Sequence, residues 1–169
     1  VTDRPLPLLE HHDGSVWLGT QKGLVCYKEG HFTHFTTRNG LWDNNIAAIS
    51  SGKTGNLWIG SYGGLNVLED GSIKRMPHVG RSPQSTQWGY DLVEDDSNTL
   101  WIIRERWVFK CDPSFSKWEE VLHDGGHLDA VCIYKDPKGT IWIGGRARLF
   151  ESKDGRWICH PQLNDAARG

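Results

Sequence analysis

Residues 54–61 read TGNLWIGS, and the phrase has copies at 13–20 (DGSVWLGT) and 138–145 (KGTIWIGG), with a degenerate version, SNTLWIIR, at 97–104. The four tryptophans, Trp17, Trp58, Trp101 and Trp142, stand at intervals of 41, 43 and 41 residues. Smaller signals recur in the same order around each. Upstream lies a short apolar run: LPLLEH at 6–11, NIAAIS at 45–50, GYDLVE at 89–94 and DAVCIY at 129–134. A polar or glycine-containing turn joins it to the tryptophan segment, which is how a β-hairpin reads in sequence.

A third apolar run begins seven residues after each tryptophan, at Leu24, Leu65, Val108 and Leu149. A fourth follows as HFTHFT, SIKRMP, KWEEVL and RWICHP. No window carries the i, i+3, i+4, i+7 apolar spacing of a helix, so the fold class is all-β. Four short antiparallel strands per period of about 40–45 residues are the pattern of β-propeller blades. The chain holds four, over approximately 1–40, 41–82, 83–124 and 125–169, as a single segment. Within a blade, alternation along the strand turns the tryptophan toward one neighbouring sheet and its aliphatic neighbours toward the other. Gly19, Gly60 and Gly144, two residues on, remove a side chain where sheets approach.

Bulk composition excludes several classes. The 19 Lys and Arg nearly cancel the 21 Asp and Glu, which leaves no field to gather nucleic acid. No apolar run approaches the ~20 residues of a membrane span, and VTDRPLPLLE lacks the plan of a signal peptide. Cys26, Cys111, Cys132 and Cys159 show neither a CxxC pair nor zinc spacing, and read as separate buried thiols.

The repeats resemble those of the two-component regulator propeller family, whose blades read roughly Asp-x-x-Gly-x-Leu-Trp-Ile-Gly-Thr-x-x-Gly-Leu. The second blade fits well over 35–68, the first over DGSVWLGTQKGLVCY and the fourth over DPKGTIWIGGRARLF at 136–150. The third departs, with Ile103 and Arg104 in place of Gly and Thr, and Glu105-Arg106-Trp107 where glycine is expected. The resemblance implies a periplasmic or extracellular sensor of a two-component system. Family rings are commonly larger than four blades. A partial ring, a closed four-blade ring and half of an eight-blade dimer therefore stay open, and an open segment completed by further blades in cis or by a second copy is favoured.

Function is expected where the repeat fails. The connections between blades and the turns between second and third strands share one end of a propeller. They place Trp42, Asn44, Trp88, Tyr90, Arg104, Arg106, His127, Asp129 and Arg146 there, with Lys22, Tyr62 and His123. Aromatic rings beside Asn, Asp and Arg suit a small polar ligand such as a saccharide. Trp42 follows Gly-Leu and reads as packing ahead of ligand contact. His123 and His127 lack a third ligand at a metal-site spacing, so no metal or other cofactor is expected. The stretch DPKGTIW resembles the Asp-box of sialidases, which is a structural turn. No nucleophile motif, phosphate loop or acid/base pair accompanies it, so a binding module is expected rather than an enzyme. A protein-interaction scaffold is the alternative.

Overall fold

The computed structural model describes residues 6–77, 91–104, 106–112, 114–115, 117–123, 126–145, 148–153 and 156–160. Four antiparallel sheets follow one another along the chain. The first contains β1 (Leu8–Glu10), β2 (Val16–Thr20), β3 (Gly23–Lys28) and β4 (His31–Phe35). The second contains β5 (Ile46–Ser51), β6 (Leu57–Ser61), β7 (Gly64–Glu69) and β8 (Ser72–Arg75). β9 (Asp91–Glu94), β10 (Leu100–Arg104), β11 (Trp107–Cys111) and β12 (Trp118–His123) form the third, which gains a two-residue edge strand, β13 (Gly126–His127). The fourth contains β14 (Ala130–Lys135), β15 (Ile141–Gly145), β16 (Leu149–Lys153) and β17 (Arg156–His160). Each sheet is a meander in sequence order, as the repeat predicts. A single 3-10 turn, Thr37–Asn39, is the described helical element.

Local sequence closes the hairpins. Asp95 and Asp136 each lie six residues before their tryptophan. Asp136 Oδ1 accepts the amides of Lys138 and Thr140 at 2.8 and 2.9 Å, while Oδ2 accepts the Trp142 indole at 3.1 Å. Asp95 repeats all three contacts with Ser97, Thr99 and Trp101. The Asp-box-like stretch is therefore a turn that fixes its tryptophan.

Three apolar clusters sit between consecutive sheets. Trp17, Leu24 and Cys26 of the first sheet meet Ile46, Leu57, Ile59 and Leu68 of the second. Ala48, Trp58, Leu65 and Val67 meet Leu92, Leu100, Ile102 and Phe109 of the third. Ile103, Val108 and Val121 meet Ala130, Ile133, Ile141, Ile143 and Phe150 of the fourth. At each junction the sheet earlier in the chain offers its tryptophan face and the later one its aliphatic face. Gly19 makes room for this: a Cβ there would stand 2.6 Å from Ile46 Cγ2 of the next sheet.

Burial along the tryptophan strands differs from sheet to sheet. All five residues of β6 are buried, so both faces of that sheet are covered. In β2, Trp17 and Gly19 are buried while Val16 and Leu18 are half-buried. In β15 the parity reverses: Ile141 and Ile143 are buried and Trp142 is half-buried. A closed four-blade ring would cover both of these outer faces, so the four sheets form an open run.

Candidate functional site

Antiparallel alternation puts the turns after β2, β6, β10 and β15 at one end of the sheets, together with the connections from sheet to sheet. Trp42 and Asn44 lie in the connection from β4 to β5. Asn66, fully buried in β7, staples this connection: its Oδ1 accepts the Trp42 amide at 3.0 Å and its Nδ2 donates to the carbonyls of Gly40 and Lys74, both at 3.2 Å. The Trp42 ring rests on the Gly63-Gly64 turn, where a Cβ on Gly64 would lie 2.6 Å from Trp42 Cδ1. The Arg75 guanidinium covers the ring at 4.6 Å from its centroid. Arg75 is held there by bonds to the carbonyls of Gly40 (3.1 Å) and Leu41 (3.0 Å). Trp42 is thus enclosed by its own blade, in keeping with the packing reading. Asn44 accepts the Thr37 amide at 2.8 Å and shapes the same connection.

A second group gathers on the aberrant third blade. Arg104 ends β10 and is 4% exposed. Its counterparts Thr20 and Ser61 close their turns by hydroxyl bonds to the carbonyls of Gly23 (2.8 Å) and Gly64 (2.9 Å). Here a guanidinium takes the place of the hydroxyl. Arg106 holds φ of 74° in a turn where the first two blades use glycine, and Asp129 holds φ of 49°. Left-handed backbone at such residues is costly and collects at binding sites. Arg106 Nη1 lies 3.4 Å from Asp129 Oδ1, and the Arg106 carbonyl accepts the Ala130 amide at 2.9 Å. Both partners of the ion pair are about half exposed, so the pair itself is weak. Its consequence is positional: an exposed cation and a carboxylate are held side by side at the turn that follows Arg104.

Of the remaining residues expected at this end, Trp88, Tyr90 and Arg146 lie outside the described residues. His127 is in β13, paired with Leu122 at the outer edge of the third sheet. Sequence reasoning missed Arg75 and Asn66. The signal for Asn66 was available: it is an amide inside the apolar run LNVL. Nothing local marks Arg75, which acts across 34 and 35 residues.

The thiols fall into two groups. Cys26 and Cys111 are buried, whereas Cys132 is exposed, contrary to the expectation of buried thiols, because it stands on the uncovered face of the last sheet. Burial pushes the Cys111 thiol up to about 11, and raises Cys26 as well. Among the described residues no three His, Cys, Asp or Glu side chains gather as a metal site.

Residues 125–147 match the family model of the two component regulator propeller. The extracellular domain of the hybrid two component system BT4673 from B. thetaiotaomicron is 25% identical, with a TM-score of 0.73 over 95% of this chain and 22% of that one. The corresponding domain of BT3049 from the same organism is 16% identical, with a TM-score of 0.69 over 91% of this chain and 22% of that one. Virginiamycin B lyase from Staphylococcus aureus shares the fold at 13% identity, with a TM-score of 0.75 over 98% of this chain and 59% of that one. The chain thus spans about a fifth of the first two. No curated protein matches it.

Proposed function

We propose that this chain, a run of propeller blades with a two component regulator propeller repeat at 125–147, is part of a non-catalytic extracellular or periplasmic sensing domain. The observation that supports the reading is the 25% identity to the extracellular domain of a hybrid two component system over 95% of this chain. The corner formed by Arg106 and Asp129 is the ligand site in this reading. The paired guanidinium and carboxylate of Arg106 and Asp129 offer donors and an acceptor side by side. That combination suits a polyhydroxyl ligand carrying a carboxylate, such as an acidic sugar. The virginiamycin B lyase likeness, at 13% identity, is one of fold and lends no support to an enzyme.

Isothermal titration calorimetry with neutral and acidic oligosaccharides tests the reading. Acidic ligands are expected to bind, and Arg106→Ala to weaken them at least tenfold with an unchanged melting temperature. Equal heats for wild type and Arg106→Ala, or no binding across the panel, would count against it.

A further inference from the structure

The charged groups of Arg106 and Asp129 do not saturate each other, and we propose that Asp129 is a built-in competitor: it stands on Arg106 where the carboxylate of an acidic ligand would, and must leave before that ligand seats. This role rests on the reading of the corner as the ligand site, and adds how the site is regulated.

Arg106 Nη1 lies 3.4 Å from Asp129 Oδ1, whereas a charge-assisted bond of this type is usually about 2.7–2.9 Å long. Among the described residues it is the one polar contact that either charged group makes, so Asp129 engages a single nitrogen with a single oxygen. A guanidinium is a flat fork that can hold both oxygens of one carboxylate. Most of its capacity is left over.

The two residues are anchored on different sheets. Arg106 lies in the turn from β10 to β11, and its carbonyl accepts the Ala130 amide at 2.9 Å. Asp129 stands between Leu128 and Ala130, which are 2% and 1% exposed. The carbonyls of Leu128 and Asp129 lie against Gly145 at the end of β15, where a Cβ would stand 3.0 and 3.2 Å from them. Packing therefore fixes both backbones, and the side chains can exchange partners without movement of the sheets.

The balance favours exchange. With both members about half exposed, the pair holds together by a factor of only about two to five. A ligand carboxylate that takes both arms of the fork makes two charge-assisted bonds in place of one, so it displaces Asp129. Its apparent affinity is lowered by the fraction of corners in which Asp129 occupies the guanidinium. A neutral sugar has no carboxylate to place there and gains nothing from removal of the competitor. Asp129 thus sets the concentration at which an acidic ligand fills the site.

Glucuronate and glucose, which differ by a carboxylate against a hydroxymethyl group, are the probes, titrated into the protein and its variants and followed by saturation-transfer NMR. In Asp129→Asn the amide keeps an acceptor for hydroxyls and removes the competing charge. That variant should bind glucuronate about two- to fivefold more tightly than wild type, with glucose unchanged. Arg106→Gly should lose glucuronate and melt no lower than wild type, because glycine suits a φ of 74°. Dicarbonyl modification at Arg106, read by peptide mapping without ligand, should run faster in Asp129→Asn. An unchanged glucuronate affinity in Asp129→Asn, or a loss of affinity for both sugars, would overturn the competition and leave the ligand site standing. Glucuronate bound by neither wild type nor Asp129→Asn would remove the site and the competition together.

Discussion

The indole N–H of Trp58 donates to Oε2 of Glu94 at 2.5 Å, across the junction between the second and third sheets. Trp101 and Trp142 instead use an aspartate six residues upstream on their own hairpin. In the second blade that position is Gly52, and the next blade supplies the missing carboxylate. Both side chains are buried, at 3% and 7% exposed, so the contact cannot be exchanged for water. Glu94→Ala should cost about 1–3 kcal/mol, because it strands the indole and the Lys53 amide. Chemical denaturation with an unchanged slope would show it, and a loss below a few tenths would contradict the assignment.

Restoring the aspartate tests the same substitution from the other side. A Cβ at Gly52 would lie 2.0 Å from Asn56 Oδ1, so Asn56 fills the space that aspartate occupies elsewhere. Gly52→Asp alone should therefore lower the melting temperature. Combined with Asn56→Thr, the residue type at 99 and 140, it should recover. In that background Glu94→Ala should cost less than in wild type, a coupling that a double-mutant cycle reads directly.

The stack of Arg75, Trp42 and Gly64 makes a third expectation. Gly64→Ala pushes a methyl into the indole and should destabilise by about 1–3 kcal/mol. Adding Trp42→Ala should relieve part of that loss. Additive losses would mean that the ring does not rest on the turn.

Acid should loosen the hairpins. Lys28 and Ser15 bonds hold Asp13 well below the ordinary carboxylate range, and the Trp142 indole and turn amides lower Asp136. A lowered native value means that the contribution is present above the unfolded value, about 4, and is lost as pH falls through the native one. Asp91 has the opposite sign: burial raises it, so its penalty is relieved as pH falls. Melting temperature should therefore drop below about pH 4. Asp136→Asn should flatten that drop and Asp91→Asn should steepen it.

Thiol chemistry should divide the cysteines. One thiol should react quickly with an aromatic disulfide reagent in the native chain, and Cys132→Ser should abolish that phase. Cys26 and Cys111, buried with raised values, should react only in denaturant. A fast phase surviving Cys132→Ser would show that another thiol, such as the half-buried Cys159, is the one open to solvent.

The sequence by itself determined the strands, their order and the hairpin turns. Alternation, glycine turns and the aspartate six residues before Trp101 and Trp142 act within a few residues, and four copies in register make them readable. The ends of those strands decided less. Trp17 and Trp142 sit in nearly the same phrase, yet one is buried and the other half open. What covers a face is a neighbouring sheet, and no local pattern records whether one is there. Trp42 held by Asn66 at a separation of 24 residues, and Trp58 served by Glu94 at 36, are contacts only the stacking of blades creates. The Arg106 and Asp129 pair had a sequence trace, the failure of the repeat around Arg106. Only the fold brought its carboxylate, 23 residues on, within reach of Arg106.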